Sequence, residues 1–179
     1  MNNADRKVQA DRILYEFGLW KRIEEIGKAH IVGSYRMNMM AWNDLDIDIE
    51  NKTMSLDKMY ELSSFIMNTF HPVWYEAKEE IDDVGKRVWF HGFETMITGE
   101  VWNIDLWFLN KETIENAEKY CDNIMHNTDK MQKDIIINIK SELIRRDLYS
   151  FEKYKSIDVY KAVLERNVEN VEEFLMLFK

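Results

Sequence analysis

Four carboxylates alternate with aliphatic residues in the segment Asp44-Leu45-Asp46-Ile47-Asp48-Ile49-Glu50. Successive side chains of a strand point to opposite faces, so the four acids share one face and Leu45, Ile47 and Ile49 the other. Neighbouring acids on that face sit roughly 6–7 Å apart, two residues at a rise of about 3.3 Å each. At an effective dielectric of about 20, each such pair repels by roughly 2–3 kcal/mol. A cation, a raised pKa or open solvent must offset that cost, and a divalent metal does so most sharply.

Upstream, Ile31-Val32 ends an apolar run, Gly33-Ser34 follows, and Arg36 adds a fixed cation. A glycine at a strand end lets backbone approach a ligand closely, and the neighbouring N–H groups can cradle phosphate oxygens. Downstream, in Val-Trp-Asn-Ile-Asp-Leu-Trp-Phe-Leu, Asp105 is the one acid of an otherwise apolar or aromatic strand. A lone carboxylate there is costly unless it is paired or coordinates metal. Three acids from two strands, facing a phosphate-binding turn, form the arrangement that two-metal nucleotidyl transfer requires.

A hydrophobic residue, Gly-Ser, a gap of about ten, Asp-x-Asp and a distant third Asp resemble the DNA polymerase beta-type nucleotidyltransferase superfamily, over about residues 27–110. The resemblance implies that Gly33 and Ser34 form the phosphate-binding turn; Arg36, read from its charge and place on the same turn, is a further candidate nucleotide contact. It implies that Asp44 and Asp46 are the paired metal ligands, and Asp105 the third. Two Mg²⁺ ions and a nucleoside triphosphate, ATP in the first instance, follow as cofactor and co-substrate. In some antibiotic-modifying members a glutamate near the end of the preceding strand acts as general base, which makes Glu94 a candidate. The expected reaction is in-line displacement at the α-phosphorus, with release of pyrophosphate.

Composition bounds the class. The chain has 179 residues, 46% apolar, with one Pro and 6 Gly, enough for a core and unlike a disordered or linker-rich protein. The polar, charged N-terminus does not read as a secretory signal. No apolar stretch approaches the ~20 residues of a membrane span. Cys121 is the only cysteine, which excludes an internal disulfide and fits a reducing cytoplasm. The formal charge is −9, and such a field attracts cations and repels polyanions. A small, hydroxylated, cationic acceptor is therefore expected, with nucleic acid disfavoured. The basic cluster Lys140, Arg145 and Arg146 argues the other way, towards an RNA backbone.

The elements that must position these residues read as follows. Helices are expected over residues 4–17, 19–26 and 55–70, and strands over 29–32, 44–50, 73–80, 86–96 and around Asp105. The turn Asp82-Asp83-Val84-Gly85 joins a hairpin, and residues 35–43 form a loop. Beyond Asn110 the pattern is helical, with caps at Asn110 or Thr113, Thr128 or Asp129, Ser156 and Asn170. The expected fold is α/β, a small mixed sheet flanked by helices. Residues 1–110 would be the catalytic domain and 111–179 a helical C-terminal region.

Other readings remain. Asp48 and Glu50 read as solvated surface rather than as ligands. Asp105 could be a structural acid paired with a base, and Arg36 could merely neutralise the cluster. Glu76, Lys86, Arg87, His91 and Glu94 on the hairpin could each face the site. Met37, Met39 and Met40 beside Trp42 could form an acceptor pocket, a lid or simple packing. The histidines and Cys121 lack the spacing of a zinc site. A nucleotide-binding module without chemistry, or a transferase acting on RNA or protein, is the alternative function.

Overall fold

The computed structural model describes residues 2–82, 85–150 and 152–178, so Asp83 and Val84 of the expected hairpin turn lie outside the described residues. Helix α1 (Asn3–Asp11) starts at a capping box in which Asn2 and Asp5 bond each other's backbone N–H groups. It runs into a π-type turn over Arg12–Glu16 and ends at Gly18, φ 78°, a left-handed conformation that glycine adopts without a Cβ clash. Helix α2 (Leu19–Glu24), strand β1 (Ala29–Ile31) and the single-turn helix α3 (Gly33–Arg36) lead to β2 (Asp44–Glu50). Helix α4 (Leu56–Phe70) precedes a hairpin of β3 (Trp74–Ile81) and β4 (Arg87–Ile97), then β5 (Glu100–Leu109). Four helices complete the chain: α5 (Lys111–His126), α6 (Lys130–Arg145), α7 (Ser156–Arg166) and α8 (Val171–Met176).

The polar signals largely act where expected. Asn110, Asp129 and Asn170 cap α5, α6 and α8 through their side chains, each accepting from a first-turn N–H that has no partner within its helix. Two local expectations differ. Ser156 is the first residue of α7 and Lys155 its cap, and the expected loop at 35–43 opens inside α3. Among the described residues no helix is long and apolar enough to cross a membrane.

The strand order is β1-β2-β5-β4-β3. Only β2 and β5 pair in parallel, so the sheet is mixed. One face carries Leu45, Ile47, Ile49, Phe93, Ile104, Leu106 and Phe108, buried against α1, α2 and α4 in the main core. Period-two alternation sends every intervening residue of β2 and β5 to the opposite face. A second core joins α5–α8 and takes in Val32, Met37 and Met39 from the segment around α3. The helical region is thus packed onto the turn that leads into β2.

Gly27 sits where α2 gives way to β1. A Cβ there would lie 2.0 Å from the Glu50 carbonyl oxygen and 3.0 Å from Ile49 Cγ2, and the backbone of β2 cannot retreat from it. Gly27→Ala is therefore expected to destabilise the fold by about 1–3 kcal/mol, the usual cost of overpacking. Urea unfolding checks this, and a variant within about 0.5 kcal/mol of the parent would remove the constraint.

Candidate functional site

The parallel register of β2 and β5 sets Asp44 beside Asn103, Asp46 beside Asp105 and Asp48 beside Trp107. Residues paired across adjacent strands share a face, with their strands about 4.8 Å apart. Asp44, Asp46 and Asp105 therefore stand together on the face turned away from the main core, as the alternation implied. Asn103 donates through Nδ2 to Asp44 Oδ1 at 3.0 Å.

Burial raises the pKa of all three acids, and repulsion from neighbouring carboxylates adds to it at Asp46 and Asp105. Desolvation lifts Asp44, while the Asn103 hydrogen bond and Lys140 work against it. Asp46 is lifted well above the carboxylate range, first by desolvation and then by Asp44 and Asp105. Asp105 rises to about 6, for the same first reason, with Asp44 and Glu76 adding to it. Among the described residues no three His, Cys, Asp or Glu side chains are gathered tightly enough to hold an ion as they stand. The donor set is nonetheless all oxygen, as Mg²⁺ requires, and Mg²⁺ usually takes only one or two carboxylates together with water and substrate phosphates.

The turn before β2 is built against these acids. Gly33 has φ 65°, and a Cβ on it would fall 2.1 Å from Asp46 Oδ2. Its amide faces the Cys121 thiol of α5. Ser34 is buried, and among the described residues its Oγ has no hydrogen-bond partner. A buried hydroxyl without a partner is costly, and a phosphate oxygen would satisfy it.

From the other side comes a residue that the sequence reading had placed in a basic surface cluster. Lys140 is only 1% exposed, with Nζ 5.7 Å from the Tyr149 ring centroid and 5.6 Å from that of Tyr160. Its charge lowers the pKa of Asp44 and Asp46. The available signal was periodicity, since Lys140 falls on the buried stripe Ile136, Ile139, Leu143 of α6. Arg145 and Arg146 are instead engaged by Glu142 and Glu172 on the surface. A cleft of about 430 Å³ opens between Trp42, Asp44, Asp46 and Asp105 on one wall and Tyr149, Tyr154 and Lys155 on the other, within the range of small-ligand sites.

Other expected site residues lie elsewhere. The Arg36 guanidinium donates to Glu118 at 3.2 Å, Asp122 at 2.8 Å and the Ile31 carbonyl at 3.2 Å, so α5 engages the cation assigned to the nucleotide. Glu94 faces the same side of the sheet but pairs with Asn103, one row from Asp105. The hairpin acid whose charge reaches Asp105 is Glu76. His91 lies in the core, bonded through Nδ1 to Tyr75 at 2.9 Å, and burial lowers its pKa to about 4. Lys86 and Arg87 pair with Glu112 and Glu79. Asp48 and Glu50 are covered rather than solvated. Asp48 rises to about 7 through burial, eased by His30, and Lys52 holds Glu50 low. Met37, Met39 and Met40 are packed in the two cores, and Met37 also lines a cavity of about 260 Å³ beside Gly33.

No protein-family model and no curated protein matches this sequence. Solved structures do match in fold. The chain superposes on a cytoplasmic RNA terminal U-transferase with TM-score 0.58, at 17% identity over 89% of this chain and 47% of that one. For the Cid1 poly(U) polymerase the TM-score is 0.61, at 16% identity over 89% of this chain and 50% of that one. For the polymerase core of TRAMP, an RNA surveillance complex, it is 0.56, at 15% identity over 97% of this chain and 54% of that one. The chain shares the fold of these structures, an α/β nucleotidyltransferase fold as expected, and spans about half their length. The expectation of a small cationic acceptor without nucleic acid is corrected by the same neighbours, an RNA terminal U-transferase and a poly(U) polymerase. A net charge of −9 sums the whole surface, whereas a substrate meets the local field, and here the charge of buried Lys140 reaches Asp44 and Asp46.

Because the folded state holds the Asp105 pKa near 6, above the usual value of about 3.9, the ionised form costs stability above that pH. Stability from this group is full at low pH and is lost as pH rises through about 6. Metal-free Asp105→Asn should therefore melt above the parent at pH 8, with the difference vanishing towards pH 4. Asp44→Asn and Asp46→Asn should likewise melt at or above the parent without metal. Differential scanning calorimetry across that range checks the sign, and variants that melt well below the parent at pH 8 would make these acids structural.

Proposed function

We propose that this chain transfers a nucleoside monophosphate from a nucleoside triphosphate to the 3′ hydroxyl of an RNA, releasing pyrophosphate. The observation that carries the reading is the row Asp46–Asp105 with Asp44 beside it, three half-buried acids with the Gly33 turn packed against Asp46 and the charge of the buried Lys140 reaching Asp44 and Asp46. The fold adds the class of chemistry, and its neighbours, an RNA terminal U-transferase and a poly(U) polymerase, favour RNA as acceptor.

In this reading Asp44, Asp46 and Asp105 hold two Mg²⁺ ions. When bound, the ions neutralise the triphosphate and lower the pKa of the attacking hydroxyl. Ser34 Oγ and Lys140 Nζ donate to the β- and γ-phosphate oxygens and orient the triphosphate for in-line attack. Lys140 also balances charge on the leaving pyrophosphate. Trp42, Tyr149 and Tyr154 line the space beside the acids and offer apolar faces to the nucleoside. The bond from the acceptor O3′ to the α-phosphorus forms as the bond to the pyrophosphate oxygen breaks. The hydroxyl proton passes to the Asp105 carboxylate, which accepts it as general base.

Purified protein with Mg²⁺, each of the four common nucleoside triphosphates and a 5′-labelled single-stranded RNA should lengthen the RNA and release pyrophosphate. Asp44→Asn, Asp46→Asn and Asp105→Asn should each lower turnover at least about a hundredfold, since a bound metal contributes several kcal/mol to such transition states. Lys140→Met should raise KM for the nucleotide more than it lowers kcat, and Glu94→Gln should stay within a few-fold of the parent. Nucleotide binding by the parent without extension or pyrophosphate release would identify a binding module instead.

A further inference from the structure

The sheet register extends the catalytic rows beyond β5. Asp46, Asp105, Gly92 and Glu76 form one row across β2, β5, β4 and β3, and Asp44, Asn103, Glu94 and Trp74 form the next. All eight residues share the face that carries the acids. On the β1–β2 side, near Asp48 and His30, this face is covered by residues of α5 such as Glu118. On the hairpin side it is open, and Trp74 there is 43% exposed.

Gly92 makes this part of the face aromatic by yielding its side-chain space to neighbouring rings. A Cβ on it would lie 2.4 Å from Phe90 Cζ and 3.1 Å from Trp74 Cζ3, so both rings converge over the one residue between Asp105 and Glu76 that lacks a side chain. Phe90 stacks in turn on Trp107, with ring centroids 4.4 Å apart, and Lys78 Nζ lies 5.4 Å from the Phe90 centroid. These contacts hold Phe90 in place and leave the indole of Trp74 as the exposed end of an aromatic strip beside Asp105. An exposed indole fixed next to a reactive centre offers a π-face on which any base can stack, without regard to sequence.

We infer that the open β3–β4 face is the acceptor subsite, where the 3′-terminal base of single-stranded RNA stacks on the exposed face of Trp74 with its 3′ hydroxyl towards Asp105. The inference rests on the nucleotidyl transfer proposed above and names the surface that positions its second substrate. Trp74 acts as a positioning residue for the acceptor and has no part in holding the triphosphate, which Ser34 and Lys140 grip from the far side of the acids.

The test uses the full chain and a 5′-fluorescein decaadenylate with a free 3′ hydroxyl. Anisotropy reads RNA binding without nucleotide, extension kinetics read KM and kcat, and a fluorescent ATP analogue reads nucleotide affinity separately. Trp74→Ala should weaken RNA binding and raise the RNA KM by about tenfold, the scale of one stacked base. Nucleotide affinity and kcat at saturating RNA should stay unchanged, and Trp74→Phe should recover most of the loss. Melting temperature controls for folding, since Trp74 lies at the surface. If the parent extends RNA and Trp74→Ala does so with the same RNA KM, the subsite is wrong and transfer stands. If the parent binds RNA in a Trp74-dependent way but never extends it, the subsite stands and transfer falls. A parent that neither binds nor extends the oligonucleotide overturns both.

Discussion

The repulsion among Asp44, Asp46 and Asp105 organises this molecule. Parallel pairing of β2 with β5 forces Asp46 and Asp105 side by side, in surroundings dry enough to raise the pKa of each acid. The adjoining structure reads as accommodation of that charge. Asn103 bonds Asp44, Lys140 brings a cation down from α6, and Gly33 leaves the volume that the Asp46 carboxylate occupies. Removing one partner from a buried charged group usually costs more than the pair contributes. Such a cluster is therefore tolerated where a ligand completes it.

The two hydrophobic cores make that geometry rigid. The first packs the aliphatic face of β2 and β5 on α1, α2 and α4, which fixes where the acids stand. The second ties α5–α8 to Val32, Met37 and Met39, on either side of α3. Ser34 is thus held by both, at the end of β1 and in a segment anchored by the helical region. Lys140 arrives on a helix of that second core, so the cleft closes only when the two cores are assembled together. This coupling gives the C-terminal helices a structural part in the site although they carry none of its acids.

The same strand divides its acids between two tasks. Towards the start of β2, Asp44 and Asp46 line the cleft. Towards its end, Asp48 and Glu50 are covered, and His30, Lys52 and Glu118 of α5 surround them. Arg36 joins Glu118 to Asp122, so one face of α5 becomes an ionic lid over the closed half of the sheet. Beyond β5, the rings of Phe90 and Trp74 lie over Gly92, and Trp74 is exposed. A single sheet face is therefore sealed at one edge and open at the other, and the acids stand at the boundary.

Much of this was legible in the chain itself. Period-two alternation in residues 44–50 and around Asp105 specifies which side chains share a face, because a strand permits no other arrangement. Caps at Asn110, Asp129 and Asn170 mark helix starts because their side chains meet local backbone demands. Pairing between distant segments is not local, and there the tertiary structure decided. It took Arg36 from the phosphate turn and bound it to acids 82 and 86 residues away, and it made Asp48 and Glu50 interior by laying α5 across them. It moved Lys140 from a basic cluster into the interior, where a lysine on an apolar stripe sends its charge to Asp44 and Asp46. It also chose Glu76 over Glu94 as the neighbour of Asp105, through a register set by hydrogen bonds across three strands. Local chemistry determined which residues could act; long-range packing, which brings together charges far apart in the chain, decided which of them meet.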